Sequence, residues 1–129
     1  MTTAEINNVY QTLTNVKEKR LPVKLAFTLT KNLKKMESIV KSIEETRGEL
    51  IRKYAEKDEH GEPKETNGRI TVTPENTPAF NRDLTELLDT DNEITFERVP
   101  LSLVERCDEA EFDSLTLEEV YALGCMIED

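Results

Sequence analysis

The chain has 129 residues, 36% of them hydrophobic and 34% charged, with no tryptophan and a net charge of −10. That is enough for one small domain with a modest core and not for two. No apolar run approaches the ~18 residues of a membrane span, and "MTTAEINNVYQ" has neither a basic nor an apolar leader region, so a cytoplasmic protein without a signal peptide is expected.

The charge is unevenly spread. Residues 1–57 hold 12 Lys/Arg against 7 Asp/Glu, whereas residues 58–129 hold 5 against 20. Such asymmetry permits pairing within the chain, head-to-tail association of copies, or capture of a charged partner.

Thr2-x-x-Glu5 is a capping-box pattern. Ile6, Val9, Tyr10, Leu13 and Val16 follow at helical spacing and predict a helix over 3–19. Leu21-Pro22 breaks it and opens the next, because proline fits a first helical turn. From Leu25 to Tyr54 apolar residues keep helical spacing and predict a helix over 22–57, about 50 Å long. Leu29, Met36, Ile43 and Leu50 recur by sevens, but Asn32, Thr46 and Lys53 interrupt the companion positions, so no regular coiled coil is expected. The first helix covers only half of the second. Met36, Ile43, Leu50 and Tyr54 are therefore the candidate interface for a partner chain, unless later elements cover them. Gly48 lies inside the long helix at a cost of about 1 kcal/mol relative to alanine, which a close contact or a bend would explain.

"EKDEHGEPKETNG" (56–68) reads as a loop. "RITVT" (69–73) and "NEITFERV" (92–99) alternate and read as two short strands that pair with each other or with strands of a second chain. Between them Thr77-Pro78, then Phe80, Leu84, Leu87 and Leu88, predict a helix over 78–89. Ser102-x-x-Glu105 marks one helical turn, "RCDEAEFD" a connector, and Thr116-x-x-Glu119 caps a last helix over 117–127. The expected fold is a mostly helical α+β domain over 1–129. It comprises a basic helical hairpin (1–57), a loop (58–68) and an acidic α+β part (69–129).

Chemical motifs are sparse. Cys107 and Cys125 read as reduced thiols, and without supporting histidines they make no zinc site. His60, alone among Asp58, Glu59 and Glu62, reads as a solvated loop residue. Asp89, Asp91 and Glu93 alternate like the start of a calcium loop, but Ile94 and Pro100 stand where that loop needs glycine and glutamate. No nucleophile elbow, P-loop, dinucleotide fingerprint or H-E-x-x-H occurs, so neither enzymatic activity nor a cofactor is expected. The candidate anion-binding set is Arg20, Lys24, Lys31, Lys34 and Lys35. Lys24, Lys31 and Lys35 share one side of the helix. Lysine dominates over the bidentate arginine and only Phe27 could stack on a base, which disfavours a nucleic-acid partner. The alternative for these lysines is the solvated side of an amphipathic helix, partly neutralised by the acidic half.

The stretch "LPVKLAFTLTKNLKKMESIVKSIEETRGELIRKYAEKDEHGEP", with "FNRDLTELLDTDNEI" and the "MIED" end, resembles a family of small uncharacterised bacteriophage and prophage proteins of lactococci, clostridia and related bacteria, a domain of unknown function. The resemblance spans roughly 5–129 and supplies no catalytic residues. It implies a viral protein in a bacterial host cytoplasm or a virion. A homo-oligomeric binding protein acting on a host or phage protein is the first expectation. The alternatives are a counter-defence protein that sequesters an anionic nucleotide and a structural virion component.

Overall fold

The computed structural model describes residues 1–128, and Asp129, the end of the expected acidic part, lies outside the described residues. Among the described residues, five α-helices and one small antiparallel hairpin make a mostly helical α+β fold, as the periodicity predicts. Helix α1 (Thr3–Lys17) opens with the full capping box. The Glu5 backbone N–H donates to Thr2 Oγ1, and the Thr2 N–H donates to Glu5 Oε1, both at 3.2 Å. Pro22, buried, is the N-cap of helix α2 (Val23–Tyr54), whose 32 residues form the spine of the molecule.

Ile6, Leu13 and Val16 of α1 meet Leu25, Leu29, Leu33, Met36 and Val40 of α2 in the core. Helix α3 (Thr77–Asp89) packs on both α2 and α1. It thereby lies over part of the stretch of α2 that α1 leaves open. This corrects the expected partner seam at two of its four positions, Met36 and Ile43. Met36 is fully buried and Ile43 nearly so within the single chain. Tyr54 meets Phe80 of α3 edge-to-face at 6.4 Å and donates its hydroxyl to Asp83. Leu50 remains half-exposed.

The small two-stranded β element is present, and its position is a second correction. The strands are β1 (Glu65–Thr66) and β2 (Arg69–Ile70), paired antiparallel around an Asn67-Gly68 turn. Asn67 and Gly68 have φ of 54° and 77°, the left-handed pair that a two-residue hairpin turn requires. Half of this hairpin lies in the stretch expected to be loop. The segment 92–99 forms no strand and does not pair with residues 69–73. Ile94 and Phe96 do turn inward against the core, but the backbone finds its partners on two side chains of α2, Lys35 and one deeper in the core, and near the chain ends.

The deeper of the two is Asn32, fully buried on α2. Its amide nitrogen donates to Glu97 O and its oxygen accepts from Glu97 N–H, both at 2.9 Å. One asparagine thus partners both the backbone N–H and the C=O of one residue, as a neighbouring strand would. At one end of the segment the Thr3 N–H donates to Thr90 O and the Asn92 N–H to Met1 O. At the other, the Val99 N–H donates to Met126 O and the Glu128 N–H to Val99 O, both at 2.8 Å.

The remaining helices are α4 (Leu101–Glu105), extended by a 3₁₀ turn at Arg106–Asp108, and α5 (Leu117–Leu123), extended by one at Gly124–Met126. Pro100 rather than Ser102 stands at the start of α4, and Asn76 rather than Thr77 at that of α3. A Cβ added at Gly48 would meet nothing within 4 Å, so no close contact calls for glycine there.

Two stability effects follow. Asn32→Leu, similar in shape, leaves two groups of Glu97 without partners and should lower the unfolding free energy by about 1–3 kcal/mol in urea titrations. Gly48→Ala should raise it by about 0.5–1 kcal/mol, since the new methyl group has room and the helix gains propensity.

Candidate functional site

The basic stretch meets its own chain's acidic half. The Arg20 backbone N–H donates to Asp113 Oδ2 at 2.7 Å, and its guanidinium reaches Oδ1 at 3.1 Å. Lys19 Nζ donates to Glu119 at 2.6 Å and to Ser114 O at 2.8 Å. Lys31 pairs with Glu97 at 2.5 Å and lies 4.5 Å over the Phe27 ring. Lys35 donates to Thr95 O at 2.9 Å. Of the five candidate anion-binding residues, only Lys24 and Lys34 have no ion-pair or hydrogen-bonding partner among the described residues. A nucleotide phosphate would have to displace intramolecular anions and carbonyls to reach the other three.

The carboxylates in these contacts titrate low. The Arg20 N–H and then its guanidinium hold Asp113 below the ordinary carboxylate range. Hydrogen bonding to Lys31 does the same for Glu97. Burial pushes Glu119 up, but its bonds to Lys19 and to Thr116 together outweigh this and leave it lowered. The Tyr54 hydroxyl lowers Asp83. Burial raises both thiols, Cys107 and Cys125, which leaves them less ionised than a free cysteine. His60 sits exposed beside Glu59, in a turn where Asp58 accepts the N–H groups of His60 and Glu62. Asp91 pairs with the chain's amino terminus at 3.2 Å. Among the described residues no three His, Cys, Asp or Glu side chains converge as a metal cage.

A different feature stands open, between α1 and α5. The second capping box sets α5: the Glu119 N–H donates to Thr116 Oγ1, and the Thr116 N–H donates to Glu119. Lys19 and Arg20 then tie the start of α5 to the α1–α2 corner. Ala122, Leu123 and Met126 turn into the core. Leu117 and Tyr121, on the other side of the short helix, remain 86% and 88% exposed. With Val9 and Thr12 of α1 they line a groove of about 510 Å³. Glu118 is the only charged residue along it. A second apolar feature stands on α2, where Val23 is 86% and Phe27 62% exposed, one turn apart.

The sequence pattern contains Leu117, Val120, Tyr121, Leu123 and Met126, but periodicity alone treats them all as core. The available signal is that a helix of this length carrying apolar residues on nearly every side cannot bury them all against one neighbour.

No protein-family model, no curated protein and no solved structure matches this chain.

The lowered carboxylates set a direction for acid stability. Each depressed carboxylate contributes stability that is full above its unfolded-state pKa and lost as pH falls through its lower folded value. Urea midpoints should therefore hold from neutrality down to the ordinary carboxylate range, and fall steadily below it. Replacing Asp113 with asparagine should flatten that acid limb.

Proposed function

We propose that this chain is a non-enzymatic interaction protein that works as a homo-oligomer. In the setting that the phage resemblance implies, it acts on a host or viral protein in an infected bacterial cytoplasm or in a virion. The observation that carries the reading is the open groove beside α5. Large side chains gathered side by side in solvent are the usual mark of a docking surface in a small soluble domain. Tyr121 is the kind of residue that anchors such contacts, with an apolar ring and a polar tip.

The charge layout supports the same reading. Arg20 and Lys31 of the basic face are matched by the chain's own acids, and the groove is where apolar surface goes unmatched. No helix among the described residues is long and apolar enough to cross a membrane, so a bilayer-spanning role has no support there.

Size-exclusion chromatography with light scattering tests the self-association. The expected result at micromolar concentration is a mass of two or more chains, falling toward one chain on dilution. A single-chain mass throughout refutes it.

A further inference from the structure

Two exposed apolar features of opposite form lie on this chain, and their charged surroundings have opposite sign. The groove is concave, and its one charged lining residue is Glu118. Glu5, also exposed, lies one turn from Val9 on α1. The ridge is convex: Val23 and Phe27 project from the solvent side of α2 at i and i+4. Its flanking charges are Lys24, Lys34 and Lys31, the last paired with Glu97 at 2.5 Å. Lys24 and Lys34 are free of intramolecular partners among the described residues, and Lys31 braces the Phe27 ring.

The ridge cannot fill the groove of its own chain. Val9 and Thr12 face α5, whereas Tyr10 and Thr14 of the same helix line a separate cleft with Thr30, Leu33 and Lys34 of α2. Helix α1 stands between the two features.

We infer that the Val23–Phe27 ridge of one copy seats in the α1–α5 groove of a second copy, a head-to-tail contact. The inference rests on the self-association proposed above and names its surfaces. An i, i+4 pair of apolar anchors entering a groove is a recurrent helix-recognition mode. Here Lys24 and Lys34 of one chain approach Glu118 and Glu5 of the next, which orients the docking. Two different surfaces of the same chain make a heterologous interface, and these propagate or close according to their rotation.

Complementation tests it. Phe27→Glu spoils the ridge and leaves the groove, while Tyr121→Glu spoils the groove and leaves the ridge. Both positions are exposed, and both substitutions add the same sign of charge, so mixing creates no new opposite-charge pair between them. Each variant alone should run as a single chain in light scattering. An equimolar mixture should regain a species of two chains, because the intact ridge of one variant seats in the intact groove of the other. An unfolded variant could not restore it.

If only one variant dissociates, a surface pairs with itself and the inference falls. If both dissociate and the mixture stays single-chain, it also falls. In either case an associating parent protein leaves the self-association reading standing. A single-chain parent overturns both.

Discussion

The Asn32–Glu97 contact is the constraint on which the second half of the chain depends. Residues 90–99 must cross the helices without a sheet to receive their backbone groups. A buried backbone amide or carbonyl left unpaired costs about 1–3 kcal/mol. Asn32 answers both at one position, and its nitrogen also approaches Met126 Sδ at 3.5 Å. The same side chain therefore touches the crossing segment and the C-terminal turn. The bridges of Thr2 with Asp91 and of Val99 with Ile127 then hold the two ends of the crossing. An apolar residue at position 32 would pack but could not specify this path.

Electrostatics do similar work at the α1–α2 corner. Lys19 and Arg20 sit where α1 has ended and α2 has not begun. Their partners, Glu119 and Asp113, lie about a hundred residues away in sequence. The Arg20–Asp113 contact is two-sided, since the Asp113 N–H also donates to Arg20 O at 3.0 Å. These contacts place α5 beside α1 and decide which of its sides is buried. The exposed Arg20–Asp113 pair contributes little by itself, whereas the carboxylate of the Lys19–Glu119 pair is buried. Their effect here is chiefly one of position, and the groove is a consequence of it.

The exposed apolar side chains are where a small domain has more apolar surface than it can enclose. A chain of this length leaves a large fraction of its surface in water, and single exposed residues need no explanation. Leu117 and Tyr121 differ because they adjoin each other and a concave wall. Val23 and Phe27 differ because they stand one turn apart on a rigid helix. Such paired features suit recognition by another surface more than by a small ligand, since the groove carries almost no polar group to orient one.

Much of the architecture was legible in the chain. Both capping boxes, the Leu21-Pro22 corner, the long helix and α3 follow from local spacing and local hydrogen bonding, which tertiary contacts reinforce rather than oppose. The Asn67-Gly68 turn was legible too, as a hairpin signal inside a polar stretch read as loop. Tertiary structure alone decided the path of 92–99, because alternation shows which side chains turn inward but not what receives the backbone. It also decided that Met36 and Ile43 are core, since only the docking of α1 and the later helices determines whether a helix stripe faces the same chain or another. The lysines were visible as a patch and their partial neutralisation by the acidic half as a reading of it, but not which of them pair, because ion pairing depends on which distant carboxylates the fold brings near. The groove was the least legible feature. Periodicity marks Leu117 and Tyr121 as apolar, and only the orientation of α5 leaves them in water.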